Sequence, residues 1–181
     1  MFFNFAAMNW LDIVILIFLF IPAFMGFRKG FVRKILGIIG IAAGFVLAVN
    51  FYGNLSSILS KVIKENIIFV NVISFLLIVL AVYGISVWLA GYMSDIGGGP
   101  NFFNKIFGTA FGFLQGLILA SVLLYNLAII NFPSPETRNS SMFYTSVYKV
   151  APLLFDKLIE LFPGLKETYN QYKGTKQEEK K

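Results

Sequence analysis

Four long stretches of this chain contain no charged side chain; they cover residues 13–27, 35–60, 66–94 and 106–135. An α-helix rises about 1.5 Å per residue, so roughly 20 apolar residues cross a hydrocarbon core of about 30 Å. Three stretches exceed that length, and the first reaches it together with its flank, Met8 to Asp12. Because backbone amides find no water inside lipid, each stretch is predicted to be a membrane-spanning helix.

Composition agrees with lipid as the solvent. The apolar content is 57% and the mean hydropathy is +0.76, above the apolar share of about 45–50% in soluble domains. A soluble bundle is the alternative, but so short a chain cannot surround four wholly apolar helices with a polar layer. The predicted fold class is therefore an all-α membrane protein with four transmembrane helices and a short amphipathic C-terminal helix.

The chain divides into four predicted segments. An N-terminal extension covers residues 1–8, a transmembrane domain 9–130, a polar segment 131–164, and a charged, disordered tail 165–181. The predicted spans are about 9–27, 35–52, 66–88 and 104–130. Residues 53–65 are predicted to be a polar connection with room for a short interfacial helix. The triple glycine at 97–99 is predicted to be a turn, with an anion-binding backbone nest as the alternative.

The amphipathic helix is predicted over residues 152–162. Its apolar stripe is predicted to contain Leu154, Phe155, Leu158, Ile159 and Phe162, and its polar side Asp156, Lys157 and Glu160. Eleven residues cannot span a bilayer. We therefore expect this helix to lie on the membrane or to pack against the bundle.

Several function classes have no support in the residues. The chain has no Cys and no His, which removes the usual nucleophile and base pairs and the common zinc ligands. Hydrolase and nucleotide-binding motifs are missing as well. We expect no enzymatic activity, no cofactor and no metal. The net charge of +6 lies in short segments rather than on a folded basic face, so we expect no nucleic-acid partner.

Positive charge predicts the orientation. The turn between the first two spans carries Arg28, Lys29, Arg33 and Lys34, and short loops rich in Lys and Arg are cytoplasmic. Both termini are then on the outer side of the membrane. The margin is small, because Lys105 adds one inner cation and the outer side has four (Lys61, Lys64, Arg138 and Lys149). The four turn cations are also predicted to anchor the turn on anionic lipid.

Small residues recur every four positions in two spans, a pattern that lets helices approach closely. We expect both stripes to pack within one subunit, with contacts between copies as the alternative. The predicted packing residues are Gly37, Gly40, Gly44 and Ala48 in the second span, and Gly108, Gly112, Gly116 and Ala120 in the fourth.

Few polar side chains occur within the spans. We predict that they form hydrogen bonds between helices, with a substrate path as the minority alternative. Asp12 is predicted to cap the first helix rather than to carry protons. The eight side chains are Asn50, Asn71, Ser74, Ser86, Thr109, Gln115, Ser121 and Asn126.

Several motifs, in matching order and spacing, resemble the colicin V production (CvpA) family. They are MNWLDIVIL at the first span, GFRKGFVRK from Gly26 through Gly30 and Phe31 to Lys34, and NKIFGTAFGFLQG from Asn104 and Lys105 to Gln115 and Gly116. Ser146 and Pro152 resemble a pattern that follows the family's last span. The resemblance covers about residues 8–162 and implies an inner-membrane protein needed for colicin V production or export, without established catalysis.

Two positions depart from the family pattern. Asn104 stands where the family often has Asp, and Gln115 where a basic residue is frequent. A role that rests on an ion pair between these positions is therefore in doubt, and a hydrogen bond is the expected replacement. The resemblance begins at Met8, so we also expect translation to start there rather than at Met1.

The leading functional hypothesis is a non-catalytic scaffold or accessory protein for export, assembled through its glycine faces. Its expected partners are membrane lipid, further copies of itself and a component of the export machinery. The alternative is a small ion or solute channel, or a transporter, in which several copies build the path.

Overall fold

The computed structural model describes residues 8–94, 102–167 and 170, and every regular element in these ranges is helical. Four long helices are followed by a 3₁₀ turn, Ala128–Ile130, and three short helices. All four long helices are long and apolar enough to cross a membrane. They are α1 (Trp10–Lys29), α2 (Phe31–Leu59), α3 (Ile67–Ser94) and α4 (Phe102–Leu127), and the short ones are α5 (Pro135–Ser140), α6 (Tyr144–Tyr148) and α7 (Val150–Leu161).

The long helices form two antiparallel pairs. Helix α1 packs along α4, α2 packs along α3, and α2 and α4 join the pairs. Large apolar side chains also cover the outside of the bundle, where a soluble protein would be polar, and such extended apolar surfaces mark membrane contact. On α1 these exposed side chains are Trp10, Ile13, Ile17, Phe20, Ile21, Phe24 and Phe27.

Local sequence signals define both ends of α1. Asn9 caps the helix, since its side chain accepts hydrogen bonds from the Leu11 and Asp12 amides while Asp12 accepts one from the Asn9 amide. At the other end Gly30 has a φ of 81°, a left-handed conformation that favours glycine. One residue therefore separates α1 from α2.

Helix α2 is longer than predicted, because it continues to Leu59 instead of ending near residue 52. The prediction of a polar connection from residue 53 was therefore wrong over 53–59. Polar side chains in these turns form hydrogen bonds while the backbone stays helical. Ser57 donates to the Asn54 carbonyl of its own helix at 2.7 Å. Ser56 donates to the Asn71 side chain of α3 at 2.6 Å, which fixes this end of α2 to its neighbour.

Helix α7 docks on the bundle. Phe155 is 1% exposed and stacks on Phe45 of α2, with ring centroids 4.1 Å apart. Leu154, Leu158 and Ile159 pack against the same core, whereas Phe162 is 50% exposed and does not belong to the buried stripe. Beside this contact, an apolar cleft of about 70 Å³ is lined by residues of α7, α2 and α4.

Some predicted segments lie outside the described residues. These are the N-terminal extension apart from Met8, the triple glycine at 97–99, and most of the tail at 165–181. Within that tail the described residues 166, 167 and 170 are helical.

Candidate functional site: packing seams, a buried acid and a cationic turn

The α1–α4 seam consists of glycines Gly108, Gly112 and Gly116 of α4 set against the backbone of α1. A methyl group built on Gly112 would overlap the Pro22 carbonyl oxygen, and one on Gly116 would overlap that of Phe18. Gly108 meets Gly26 in the same way, and a Cβ on either glycine would overlap the other's carbonyl. The two backbones therefore touch, and no larger side chain fits at these positions.

Pro22 adds a chemical reason for this contact. Proline has no N–H, so the Phe18 carbonyl four residues earlier lacks its usual donor within the helix. That carbonyl points at Gly116, where the absence of a side chain lets the two helices approach. Ala120, 2% exposed, continues the seam into a cluster with Leu11 and Ile15 of α1.

The α2–α3 seam uses the second stripe. A Cβ on Gly40 would overlap the Ser86 side chain, and one on Gly44 would lie 3.1 Å from the Val79 backbone. Ala48 is fully buried in the adjoining core. Gly37 differs, because it faces the Gln115 amide of α4 rather than α3. Both glycine stripes are thus occupied within the chain, each against a different helix.

Gln115 forms the polar link at the centre of the bundle. It is fully buried and its amide nitrogen donates to the Tyr83 hydroxyl of α3 at 3.1 Å. Its Oε1 atom has no hydrogen-bond partner among the described residues. Asn104 lies eleven residues earlier on α4, about 16 Å away along the axis, and bonds elsewhere. The expected hydrogen bond between these two side chains was therefore wrong.

The other polar side chains in the spans divide into two groups. Asn71 bonds Ser56 on a neighbouring helix, and Ser121 accepts the Ala151 amide of α7 at 2.6 Å while donating to the Tyr148 carbonyl at 3.2 Å. The second group donates to the carbonyl four residues earlier in its own helix, so here the structure shows local bonds where interhelical ones were predicted. It comprises Asn50, Ser74, Ser86 and Thr109, whereas Asn126 has a further interaction besides its bond to the Val122 carbonyl.

Asp12 is a fully buried carboxylate that joins α1 to the segment after α4. Besides capping α1, it accepts hydrogen bonds from the Ser141 hydroxyl at 2.6 Å and the Phe143 amide at 3.1 Å. Asn9 reinforces the junction by donating to the Thr137 carbonyl at 2.8 Å. These donors suit an ionised carboxylate, and the arrangement holds the polar segment against the end of α1.

The aromatic side chains of α6 beside this junction are uncharged. Burial raises the pKa of the Tyr144 and Tyr148 hydroxyls, against a smaller opposite effect of the Arg138 charge. Arg138 itself donates to the Pro133 carbonyl at 2.7 Å. The segment thus carries neutral phenols around one guanidinium.

The cationic turn, residues 28–34, consists of the last two residues of α1, Gly30 and the first four residues of α2, so it is helical except at Gly30, and Asn104 of α4 fixes it. The Phe31 amide donates to the Asn104 side chain at 2.7 Å, and that side chain would be 2.9 Å from a Cβ on Gly30. Phe31 packs edge-on against Phe111, with ring centroids 4.8 Å apart. Turn and α4 therefore form one unit.

The four cations of this turn have different surroundings. Arg28 and Lys29 are exposed, while the Arg33 guanidinium lies beside Gly91 of α3. Lys34 is only 4% exposed, so it lies within the end of the bundle, and direct contact with lipid headgroups was the wrong expectation for it. Lys105 extends the positive end, with its ammonium 5.5 Å from the Phe27 ring centroid.

Two family-motif residues, Ser146 and Pro152, lie apart from the glycine seams and the cationic turn. Ser146 is exposed on α6, and Pro152 occupies the first turn of α7, where proline is tolerated. Across the described ranges no cluster of three acidic side chains has the spacing to hold a metal ion. What the arrangement does chemically is to hold helices together and to present a positive end.

Sequence reasoning did not identify three of these partners: Tyr83, Ser141 and Ser56. Tyr83 carried a usable signal, since a hydroxyl near the middle of an apolar span needs a partner. Ser141 had none, because its partner Asp12 lies 129 residues away in sequence.

Four spans, two backbone-contact seams and polar caps define a multi-pass α-helical membrane protein. A family model described as colicin V production protein matches residues 11–152. The chain belongs to the colicin V production protein family. Neither the curated proteins nor the solved structures contained a match.

Proposed function

We propose that this chain is a non-catalytic scaffold of the bacterial inner membrane that supports the production or export of colicin V. Family membership supports the link to colicin V production. The scaffold role is inferred from how the spans use their small and polar residues.

The observation that carries the proposal is the closed α1–α4 seam. Gly112 and Gly116 leave space for nothing but the backbone of α1, and Gln115 uses its amide to hold α3. Such contacts favour a rigid bundle that positions other components, rather than a single chain with a path through it.

A genetic test separates a scaffold function from simple presence in the membrane. A colicin V-producing strain that lacks this gene would be complemented with the wild type, with Gly112→Leu, or with Gly84→Leu. A Cβ atom added to Gly84 would have no neighbouring atom within 4 Å, so this variant is the control. We expect secreted colicin V to be restored by the wild type and by Gly84→Leu, but not by Gly112→Leu. Equal secretion by the deletion strain and the wild type would refute the proposal.

The proposed orientation places the cationic turn in the cytoplasm and both termini outside. Arg28 and Lys29 carry this inference, since they are the exposed cations of the turn. Replacing both by Gln is expected to reduce cytoplasmic retention of the turn, measured with reporters fused after residue 30. A turn that stays cytoplasmic in that variant and in one lacking all four cations would contradict the role.

An oligomeric channel or transporter is the second candidate. Two observations favour it. The helix α7, which packs beside the middle of α2, carries charge on its outer side, and Oε1 of buried Gln115 has no hydrogen-bond partner among the described residues. Liposomes containing the purified protein test it directly. Solute or ion flux that Gln115→Leu abolishes would support transport, whereas silent liposomes together with crosslinking to an export component would support the scaffold.

A further inference from the structure

Helix α7 sits beside the middle of a membrane span. Phe155 stacks on Phe45 at 4.1 Å, and Phe45 lies about midway along the apolar span Arg33–Leu59. At about 1.5 Å per residue, Phe45 is roughly 18 Å from one end of that span and 21 Å from the other.

The contacts of α7 reach further along the same helix. Leu158 lines the apolar cleft with Ile38 and Ile41 of α2, which are nearer the cationic turn than Phe45 is. On α4 the same cleft is bounded by Ile118 and Val122. Helix α7 is therefore held at the depth of the spans and not at their ends.

The outer face of α7 carries charge at this depth. It consists of Leu153, Asp156, Lys157, Glu160 and Leu161, at helical spacing on the side opposite Phe155. All five are exposed, the two leucines by 66% and 72%. Lys157 and Glu160 pair at 2.8 Å, the one salt bridge within the described residues, and Asp156 has no ion pair there.

Neither lipid nor water alone suits this face. Charged side chains near the bilayer centre are strongly unfavourable unless they are paired or reach water. Exposed Leu153 and Leu161 do not favour water either, whereas a second protein surface covers leucines and charges together. The glycine stripes cannot supply a contact between copies, because both are filled within the chain.

We propose that the outer face of α7 is the contact between two copies of this chain, α7 against α7. The face carries both signs of charge between two leucines, and a two-fold axis through it would set Asp156 of one copy, which has no ion pair within the described part of its own chain, against the Lys157–Glu160 pair of the other. Paired in this way, the charges are shielded from lipid. Most of α7 lies beyond the matched residues 11–152, and the contact stands whether the protein is a scaffold or a transporter.

Disulfide crosslinking tests the proposal without background, because the chain has no Cys. Asp156→Cys and Leu153→Cys would be made singly, with Leu47→Cys as the control. Leu47 is exposed on α2, two residues from Phe45, so it lies at a similar depth on a lipid-facing surface. All three replaced side chains are exposed, so folding should be unaffected.

After oxidation in native membranes, we expect both α7 variants to shift from the 20.3 kDa monomer to a covalent dimer, and Leu47→Cys to stay monomeric. Nanodiscs of the wild type should contain two copies or a multiple of two. If Asp156→Cys stays monomeric and reacts with a membrane-impermeant maleimide, the outer face of α7 is exposed to water and the proposal is wrong. Monomeric, unreactive Asp156→Cys would overturn it in favour of lipid or another protein, and equal dimerisation of Leu47→Cys would show random collision.

Discussion

Along the α1–α4 seam, helix backbones touch through glycines, whereas α7 meets α2 and α4 through large side chains with a cleft between them. The seam places Gly112 directly on the Pro22 carbonyl. The α7 contact rests mainly on the rings of Phe155, Phe45 and Tyr125, with one hydrogen bond from the Ala151 amide to Ser121 of α4. A backbone contact has no freedom to adjust, while a side-chain contact with spare volume can adapt to a partner or a changed residue.

The difference also separates two tasks. The glycines of both seams pack against helices of the same chain, so they are not available for contacts between copies. Helix α7 completes the core on one side and leaves a charged face free on the other. Substitutions in the two regions should therefore have opposite consequences.

The largest effect is expected for Gly112→Leu. Its side chain would collide with the backbone at Pro22 and Ala23, so we expect a loss of about 3 kcal/mol or more in the free energy of unfolding, the upper end for overpacking. Unfolding in detergent, followed by helical circular dichroism, measures it. Gly84→Leu is the matched control, because a Cβ at Gly84 meets nothing within 4 Å. Equal stability of the two variants would contradict a backbone-contact seam.

A smaller effect is expected at Asp12, which fixes α1 to the segment between α5 and α6. Asp12→Ala leaves the Ser141 hydroxyl and the Phe143 amide without their acceptor, which costs about 2 kcal/mol for buried donors. Trypsin should then cleave faster at Arg138, which the junction holds half-buried. Exposed Glu136 provides the control as Glu136→Gln. Cleavage rates that do not differ between the variants would remove the proposed junction.

The smallest effect is expected for Ala42→Val, where the prediction concerns the sign of the change in the free energy of unfolding. Ala42 lines the cleft under α7, so the added methyl groups should be neutral or stabilise the protein by up to about 1 kcal/mol. The same change at Ala48, fully buried in the closed core, should destabilise it by about 1–3 kcal/mol. Thermal unfolding of both variants gives the comparison, and equal losses would show that no spare volume lies beneath α7.

Much of this architecture could be predicted from the sequence. Charge-free runs of sufficient length gave four spans, and four-residue glycine spacing gave the residues at the seams. Both signals are local, and the membrane makes helix the one available structure for such runs. The positions of the cationic turn and of Asp12 in the cap of α1 follow from equally local patterns.

The partners of those residues could not be predicted. Glycine spacing shows that a helix approaches, but it does not show which one, and here α4 faces α1 while α2 faces α3. The burial of Lys34 and the bond from Ser141 to Asp12 depend on the order of helices in space. The length of α2 was underestimated because Ser56 and Ser57 lowered its apparent apolarity while bonding to α3 and to their own helix.

The position of α7 beside the middle of α2 is the claim on which the account depends, and a crosslink tests it directly. The double variant Phe45→Cys with Phe155→Cys would be treated in native membranes with a short thiol-specific crosslinker. We expect an intramolecular link, because these two rings stack at 4.1 Å, and we expect none when Phe45→Cys is combined with Leu153→Cys on the opposite face. A Phe45–Phe155 pair that never links, while Leu153→Cys does, would contradict the docking of α7 and the inference built on it.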